Sequence, residues 1–181
     1  MASALVGKEY TIYRGLQGKV TADTVAIPGP GPHDVIIRIT HSGVCYTDYE
    51  FFKNGAPLAL GHEGVGIVEA IGSAVTKLKL GDRVGGGFHN NSCGACHLCL
   101  TGQDIYCSER TIFGFGGYNN GTFGSYFIGK EGYVHKIPES MSSQAAAPLQ
   151  CAGATVYGAL VNTVKPRDRV GIIGIGGALL I

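Results

Sequence analysis

The chain has 181 residues, with 14 Lys and Arg against 13 Asp and Glu, so its formal net charge is +1. This balance, without a run of basic residues, argues against binding to nucleic acid or to an anionic membrane surface. Only 15% of the residues are charged and 30 are glycine, a composition that favours tight turns and a β-rich barrel or sandwich.

The N-terminal stretch MASALVGKEYTIYRG lacks the basic region and the long apolar core of a signal peptide. No apolar run approaches the ~20 residues that a membrane-spanning helix needs. We therefore expect a cytoplasmic protein. Thiols stay reduced in that compartment, and clustered cysteines there more often bind metal than pair as disulfides.

Short strands are predicted over the first half of the chain. Residues 34–41 (DVIIRITH) and 65–71 (VGIVEAI) alternate well enough to be strands with one buried face, and 82–88 (DRVGGGF) predicts a third. Because no long helical pattern separates these strands, we expect them to pair mostly antiparallel.

A helix and a hairpin complete this part of the prediction. Thr47 or Asp48 is a suitable N-cap for a short helix that ends at Gly55. The runs FGSYFI and YVHKIP are joined by the turn GKEG at 129–132, which predicts that the two pair as a hairpin.

The composition changes after Pro138. The Ala-rich stretch SSQAAAPLQCAGATVYGALVNT predicts two helical pieces that are split near Pro148. A polar turn then leads into RVGIIGIGG, which predicts a short apolar strand followed by a glycine-rich turn.

Four of the six cysteines lie close together. Cys93, Cys96 and Cys99 have C-x-x-C-x-x-C spacing, and Cys107 follows eight residues later. Such spacers let a tight turn bring thiolates onto one ion, and four thiolates complete the tetrahedron of a structural zinc site. Iron–sulfur ligation uses similar spacings, and unliganded surface thiols are the remaining alternative.

The other two cysteines are Cys45, in GVCYTD, and Cys151, in LQCAG. Taken singly, each is more often an inert buried thiol than a ligand. Between them, GHEG offers His62 and Glu63 side by side. Two cysteines and one histidine from distant segments match the open set of a catalytic zinc, whose fourth position takes water, substrate or, transiently, Glu63.

Several motifs occur in one order: GVCYTD, GHEGVGIVEAIGSAV, LGDRV, CGACHLC with Cys107, and CAGATVYGAL. As a set they resemble the zinc-containing medium-chain alcohol dehydrogenases, nearest to the cinnamyl-alcohol and broad-range members. The resemblance runs from about residue 20 to the end. It implies a mainly β fold with short helices, a GroES-like, partly open barrel over residues 1–150 with a zinc lobe at about 88–112. Residues 151–181 are then an interdomain helix and the first strand and glycine-rich turn of a Rossmann domain.

The resemblance implies an enzyme that interconverts a small-molecule alcohol and an aldehyde or ketone, with hydride transfer to or from NAD or NADP. It implies two zinc ions per chain, and full-length members are usually homo-oligomers. The catalytic zinc is assigned to Cys45, His62 and Cys151, with Glu63 as an exchangeable ligand, and the structural zinc to Cys93, Cys96, Cys99 and Cys107.

Further roles follow from the same resemblance. The hydroxyl of Thr47 is placed against the substrate oxygen and passes its proton outward. Asp48 is a hydrogen-bond partner that orients the His62 imidazole. Glu50 stands where many members have the histidine that ends the proton relay, and Tyr46 stands where many have an Arg or His that reaches the cofactor pyrophosphate.

Cofactor contacts are also implied for Thr155, Gly174, Gly176 and Gly177, the last three resembling the start of a G-x-G-x-x-G fingerprint with Leu179 at its third glycine position. The chain stops at Ile181, before the helix that holds the pyrophosphate and before the residue that separates NAD from NADP. We therefore expect the isolated chain to be unable to transfer hydride.

Two alternatives remain. One is a zinc-stapled structural or interaction fragment whose catalytic centre is vestigial, and the other is a reductase of activated carbon–carbon double bonds on the same fold. The complete ligand set and Thr47 favour alcohol or aldehyde chemistry over both, because that reaction needs a proton relay to a metal-bound oxygen.

Overall fold

A five-stranded antiparallel sheet forms the centre of the molecule. The computed structural model describes residues 4–16 and 18–174. In chain order its elements are β1 (Glu9–Leu16), β2 (Lys19–Ala26), β3 (Asp34–Ser42), α1 (Tyr46–Lys53), β4 (Gly64–Ile71), β5 (Arg83–Gly86), β6 (His89–Asn91), α2 (His97–Leu100), β7 (Thr111–Ile112), β8 (Tyr126–Lys130), β9 (His135–Lys136), α3 (Ser143–Pro148), a π turn (Leu149–Gly153) and α4 (Ala154–Thr163).

Within the described residues, the strands form three sheets. The central one has the order β8-β3-β4-β5-β9, and β1-β2 and β6-β7 are separate two-stranded sheets. Every strand pair is antiparallel. Isolated bridges from Ile12 to Gly124 and from Arg14 to Ala59 join β1 to the rest of the molecule. The mainly β, antiparallel fold predicted from the sequence is confirmed.

Strand β3 is buried on both faces. Val35 and Ile37 pack in one apolar cluster with Val84, and Ile36 packs in a second cluster with Ile12 of β1. The prediction of a single buried face is therefore wrong for β3. The β1-β2 hairpin, which was not predicted from the sequence, covers the face of β3 that carries Ile36.

The predicted pairing of FGSYFI with YVHKIP is also wrong. Strand β8 pairs with β3 and strand β9 pairs with β5, so the two lie at opposite edges of the central sheet. Between them the chain makes a 3₁₀ turn at Glu131–Tyr133. The carboxylate of Glu131 accepts the main-chain N–H groups of Thr76, Lys77 and Leu78, which holds this turn away from a hairpin geometry.

Helix α1 begins earlier than predicted. Its N-cap is Cys45, whereas Thr47 and Asp48 lie inside the first turn, so the predicted cap is wrong. Asp48 instead accepts the N–H of Cys45 through Oδ2 at 3.1 Å. Gly55, with φ of 67°, follows the helix and ends it, because glycine adopts this left-handed conformation without strain.

The Ala-rich stretch forms two helices, as predicted, and Pro148 is the last residue of the first. The π turn joins them without a break. The strand predicted at RVGIIGIGG is not formed over residues 169–174, where Ile172 is half-exposed and Ile173 fully exposed. A strand with an apolar sequence of this kind forms when neighbouring strands bury it on both faces. None of the described residues pairs with residues 169–174, so the strand is not formed there. Gly176 and Gly177 lie outside the described residues.

No helix in the described part of the chain is both long and apolar enough to cross a membrane.

Candidate functional site

The four clustered cysteines lie in the segment between β6 and β7. Strands β6 and β7 pair there, with His89 opposite Ile112. The four Sγ atoms all lie within 4.8 Å of one another, and all six cysteines of the chain are free thiols. Sγ of Cys99 is 3.8 Å from that of Cys93 and 3.5 Å from that of Cys96. A tetrahedron with Zn–S bonds of about 2.3 Å has edges of about 3.8 Å, so the sulfurs fit one zinc ion.

Main-chain donors stabilise negative charge in this cluster. The N–H of Cys96 points to Sγ of Cys93, and the N–H of Glu109 points to Sγ of Cys107, each at 3.4 Å. The N–H groups of Ala95 and Cys96 lower the pKa of the Cys93 thiol to about 7. Burial and the neighbouring thiols raise the pKa of Cys99 to about 12. Four thiolates at this spacing therefore need a shared cation to be ionised together.

A second group of donors brings together three distant segments. Ligand atoms of Cys45, His62, Glu63 and Cys151 all lie within 4.8 Å of one another. Cys45 caps α1, His62 and Glu63 immediately precede β4, and Cys151 lies in the middle of the π turn. π turns inside helices are frequent at functional sites.

The surroundings of His62 test whether a metal fits. The side chain is fully buried, and its Nδ1 lies 3.1 Å from Oδ1 of Asp48. Its Nε2 is buried without a hydrogen-bond partner in the described part of the chain. Leaving such an atom unpaired costs about 1–3 kcal/mol, which coordination to a cation removes. A borderline nitrogen and two thiols beside it are the donor types that zinc takes.

The electrostatics of this group favour a positive charge. Burial lowers the pKa of His62, but the hydrogen bond to Asp48 and the nearby charges of Asp48 and Cys151 outweigh burial and raise it to about 10. Burial raises the pKa of Glu63 above its usual value. The charges of Asp48 and Cys151 thus stabilise a cation at or beside His62, whether a proton or a metal ion.

Sequence reasoning missed three residues around these donors. The ring centroids of Phe113 and Phe88 lie 4.5 and 5.7 Å from that of His62 and form an apolar wall beside it. A Cβ at Gly43 would collide with the Glu63 carboxylate. The glycine two residues before Cys45 was a signal that the backbone there makes a close approach, whereas neither phenylalanine lies in a recognisable pattern.

The remaining predicted residues of α1 lie outside the donor group. Thr47 is half-buried, and Glu50, which follows it by one turn, is exposed. Tyr46 is 69% exposed, and its ring packs at an angle of 43° against that of Tyr49, with the centroids 5.6 Å apart. The structure brings Asp48 against His62 but leaves Tyr46 and Glu50 at the surface.

A cavity of about 520 Å³ borders the second donor group. Its lining includes Cys151, Gln150, Thr155, Phe88 and His89. The predicted cofactor residue Thr155 therefore shares this cavity with a donor cysteine. Gly174 is exposed, with φ of 79°, and does not belong to this lining.

A family model described as the alcohol dehydrogenase GroES-like domain matches residues 31–139. Curated relatives include alcohol dehydrogenase 1 of Emericella nidulans, 37% identical over 90% of this chain and 48% of the relative. Another is an alcohol dehydrogenase of a Moraxella species, 41% identical over 86% of this chain and 47% of the relative. The chain thus spans about half the length of the curated relatives it matches.

Solved structures give the same result. A cinnamyl alcohol dehydrogenase from Sorghum bicolor superposes with a TM-score of 0.83 and 31% identity, covering 95% of this chain and 53% of that one. The structure of CAD from Helicobacter pylori complexed with NADP(H) gives a TM-score of 0.84 and 28% identity, covering 95% and 54%.

Proposed function

Because the chain belongs to the alcohol dehydrogenase GroES-like domain family, we propose that it is the metal-binding catalytic part of a zinc-dependent alcohol dehydrogenase. The reaction is the interconversion of an alcohol and an aldehyde or ketone, with hydride transfer to or from NAD or NADP. The observation that carries this proposal is the convergence of Cys45, Cys151 and the unpartnered Nε2 of His62, from three separate segments, on one point.

Cys45, His62 and Cys151 would hold one zinc, with Glu63 as an exchangeable ligand, and the four cysteines of the lobe would hold a second. A zinc ion held by these residues would supply Lewis-acid chemistry toward an alcohol substrate. Asp48 accepts a hydrogen bond from Nδ1 of His62, which leaves Nε2 as the donor atom for the metal.

The exposed side of α1 suits a proton path. Thr47 and Glu50 are three residues apart, so their side chains are neighbours on the helix surface. The half-buried hydroxyl of Thr47 can take the proton of a substrate alcohol and pass its own outward. The exposed carboxylate of Glu50 is then the last protein acceptor before bulk water.

The cofactor is proposed to contact Tyr46, Thr155, Gly174, Gly176 and Gly177. Thr155 supports this best, because it lines the cavity that contains Cys151. Tyr46 offers an exposed aromatic ring rather than a positive charge. We place the GroES-like domain at residues 1–150, with its lobe at 88–112 closed by β6 and β7, and assign 151–181 to the connection with a dinucleotide-binding domain. A small-molecule alcohol or aldehyde substrate, a cytoplasmic location and homo-oligomers of the full-length enzyme complete the proposal.

Metal content separates the two sites. We expect the purified chain to contain two zinc ions, and Cys151→Ser and Cys96→Ser to contain one each, measured by inductively coupled plasma mass spectrometry. Cobalt substitution should then give different visible spectra for the two variants, because one retains a four-thiolate site and the other a site with two thiolates and an imidazole. One zinc in both the unmodified chain and Cys151→Ser would overturn the catalytic site and leave only a metal-stapled fragment.

A further inference from the structure

A hydrogen bond from a residue outside the four-cysteine group closes the loop that carries these cysteines. Ser92 immediately follows β6 and is 8% exposed. Its hydroxyl donates to the main-chain carbonyl of Asp104 at 3.1 Å. The same carbonyl accepts the N–H of Cys107 at 3.0 Å. The carbonyl oxygen of Asp104 therefore links Ser92, which precedes the first cysteine of the loop, to Cys107, which is the last.

His89 fixes the direction of that hydroxyl. Its Nε2 lies 2.9 Å from Oγ of Ser92. A serine hydroxyl has one proton, and here it goes to the carbonyl of Asp104, so Nε2 of His89 must be the donor to Oγ. The imidazole is in turn placed by the ring of Tyr133, with centroids 4.5 Å apart, and its Nδ1 lies 3.7 Å from Oδ2 of Asp104.

We propose that Ser92, oriented by His89, is a positioning residue of the four-cysteine site. Its hydrogen bond to the carbonyl of Asp104 holds the two ends of the cysteine loop together before any metal binds. The proposal rests on the proposed binding of zinc by Cys93, Cys96, Cys99 and Cys107. Closing a loop costs conformational entropy. A contact that already orders the loop in the metal-free chain removes part of this cost from metal binding and therefore raises the affinity for the metal. Residues that orient metal ligands without touching the metal typically change metal affinity ten- to a hundredfold.

The test measures zinc affinity of the four-cysteine site by competition with a chelator, under reducing conditions and in a Cys151→Ser background so that the other site does not compete. We expect Ser92→Ala to weaken zinc binding at least tenfold, and Ser92→Thr, which keeps the hydroxyl, to restore most of the affinity. Ser108→Ala is the matched control, because Ser108 is exposed beside Cys107 and its hydroxyl makes no hydrogen bond among the described residues. Its affinity should equal that of the background.

A double-mutant cycle tests the part played by His89. His89→Phe keeps an aromatic ring against Tyr133 but removes the donor to Ser92. We expect it to weaken zinc binding in the same direction, and the double variant with Ser92→Ala to be no weaker than Ser92→Ala alone. Losses that simply add would show that His89 does not act through Ser92.

Hydrogen exchange in the metal-free chain gives a readout that does not depend on the metal. The N–H of Cys107 should exchange faster in Ser92→Ala than in the background, while amides of β3 and β4 keep their protection and show that the variant is folded. Equal zinc affinity and equal exchange in Ser92→Ala would overturn the role of Ser92 alone. Absence of zinc from the background protein would overturn the metal site and this proposal with it.

Discussion

The carboxylate of Asp48 and the imidazole of His62 form a buried pair, with Oδ1 and Nδ1 3.1 Å apart. The same carboxylate accepts the N–H of Gly61 through Oδ1 at 2.8 Å and the N–H of Cys45 through Oδ2 at 3.1 Å. One side chain thus fixes both segments that carry the donors Cys45 and His62, and it determines which nitrogen of His62 is free for a metal.

Asp48→Asn tests this arrangement with little change of shape. The amide keeps one oxygen acceptor but loses the charge that supports Nδ1–H of His62. We expect zinc affinity at the Cys45, His62 and Cys151 site to fall by about ten- to a hundredfold, as for other residues that orient a metal-bound histidine. Chelator competition measures this, and the four-cysteine site of the same protein is the internal control. An unchanged affinity would mean that main-chain contacts alone orient the imidazole.

The 181-residue chain alone is expected to bind zinc but not to reduce NAD or NADP in the presence of an alcohol. Every strand pair of the described part is antiparallel, and residues 169–174 form no strand, so the described residues provide no parallel sheet on which to bind a dinucleotide. The assay is alcohol-dependent absorbance at the wavelength of the reduced nicotinamide, with metal content measured on the same sample. Turnover by the zinc-loaded chain would contradict this expectation.

Much of the two donor groups could be predicted, because residues of metal-ligating type at close spacing form a local pattern in the sequence. Close cysteine spacing indicates donors without any knowledge of the fold, whereas Cys45, His62 and Cys151 were assigned through the resemblance to a zinc-containing family. The β1-β2 hairpin left no such signature, since β2 is exposed on nearly all its residues and its sequence, KVTADTVA, has no alternating apolar pattern. The hairpin predicted at the GKEG turn was wrong for a related reason. Its strands form their contacts with β3 and β5, which are distant in sequence, and turn composition carries no information about distant partners.

Ile12 of β1 is fully buried against Ile36 of β3, so the hairpin is part of the core. Ile12→Ala should lower the free energy of unfolding by about 2–5 kcal/mol, since it removes apolar contacts and leaves a cavity. Val20→Ala on β2 is the control, because Val20 is 60% exposed and a change there is expected to stay within about 0.5 kcal/mol. Denaturant unfolding of both variants decides. Similar effects at the two positions would contradict a core role for β1.

The stability of the chain should depend on Glu131 in mild acid. Main-chain N–H groups, that of Lys77 foremost, lower the pKa of Glu131 from its usual 4.5. A carboxyl whose pKa is lower in the folded state stabilises the fold fully above the unfolded pKa. This contribution is lost as the pH falls through the folded pKa. Glu131→Gln should therefore lower the melting temperature at pH 7, and the difference from the unmodified chain should shrink below pH 4.5. Glu139→Gln is the control, because Glu139 is exposed and makes no side-chain hydrogen bond among the described residues.

The side chain of Glu63 packs against the backbone of Gly43 so closely that position 43 has no room for a Cβ atom. The N–H of Gly43 donates to the main-chain oxygen of Glu63 at 3.0 Å, and a Cβ at position 43 would meet the Glu63 carboxylate. The backbone of Gly43 is not in the left-handed region, so an alanine there is strained only by its contacts with Glu63, by the carboxylate first and by Cβ at 3.1 Å second. Gly43→Ala should displace the carboxylate from the donor group and lower zinc affinity at this site about as much as Glu63→Ala does.

The double variant Gly43→Ala/Glu63→Ala separates this mechanism from a general disturbance of the loop. With the carboxylate already removed, the new methyl group meets only the remaining Cβ at position 63, at 3.1 Å, so the double variant should bind zinc nearly as tightly as Glu63→Ala alone. Gly132→Ala is the control for adding a methyl group, because a Cβ there meets nothing within 4 Å. If the losses of zinc affinity in Gly43→Ala and Glu63→Ala add instead, the methyl group acts by shifting the backbone between β3 and Cys45. The close approach at Gly43 then positions Cys45 and not the carboxylate of Glu63.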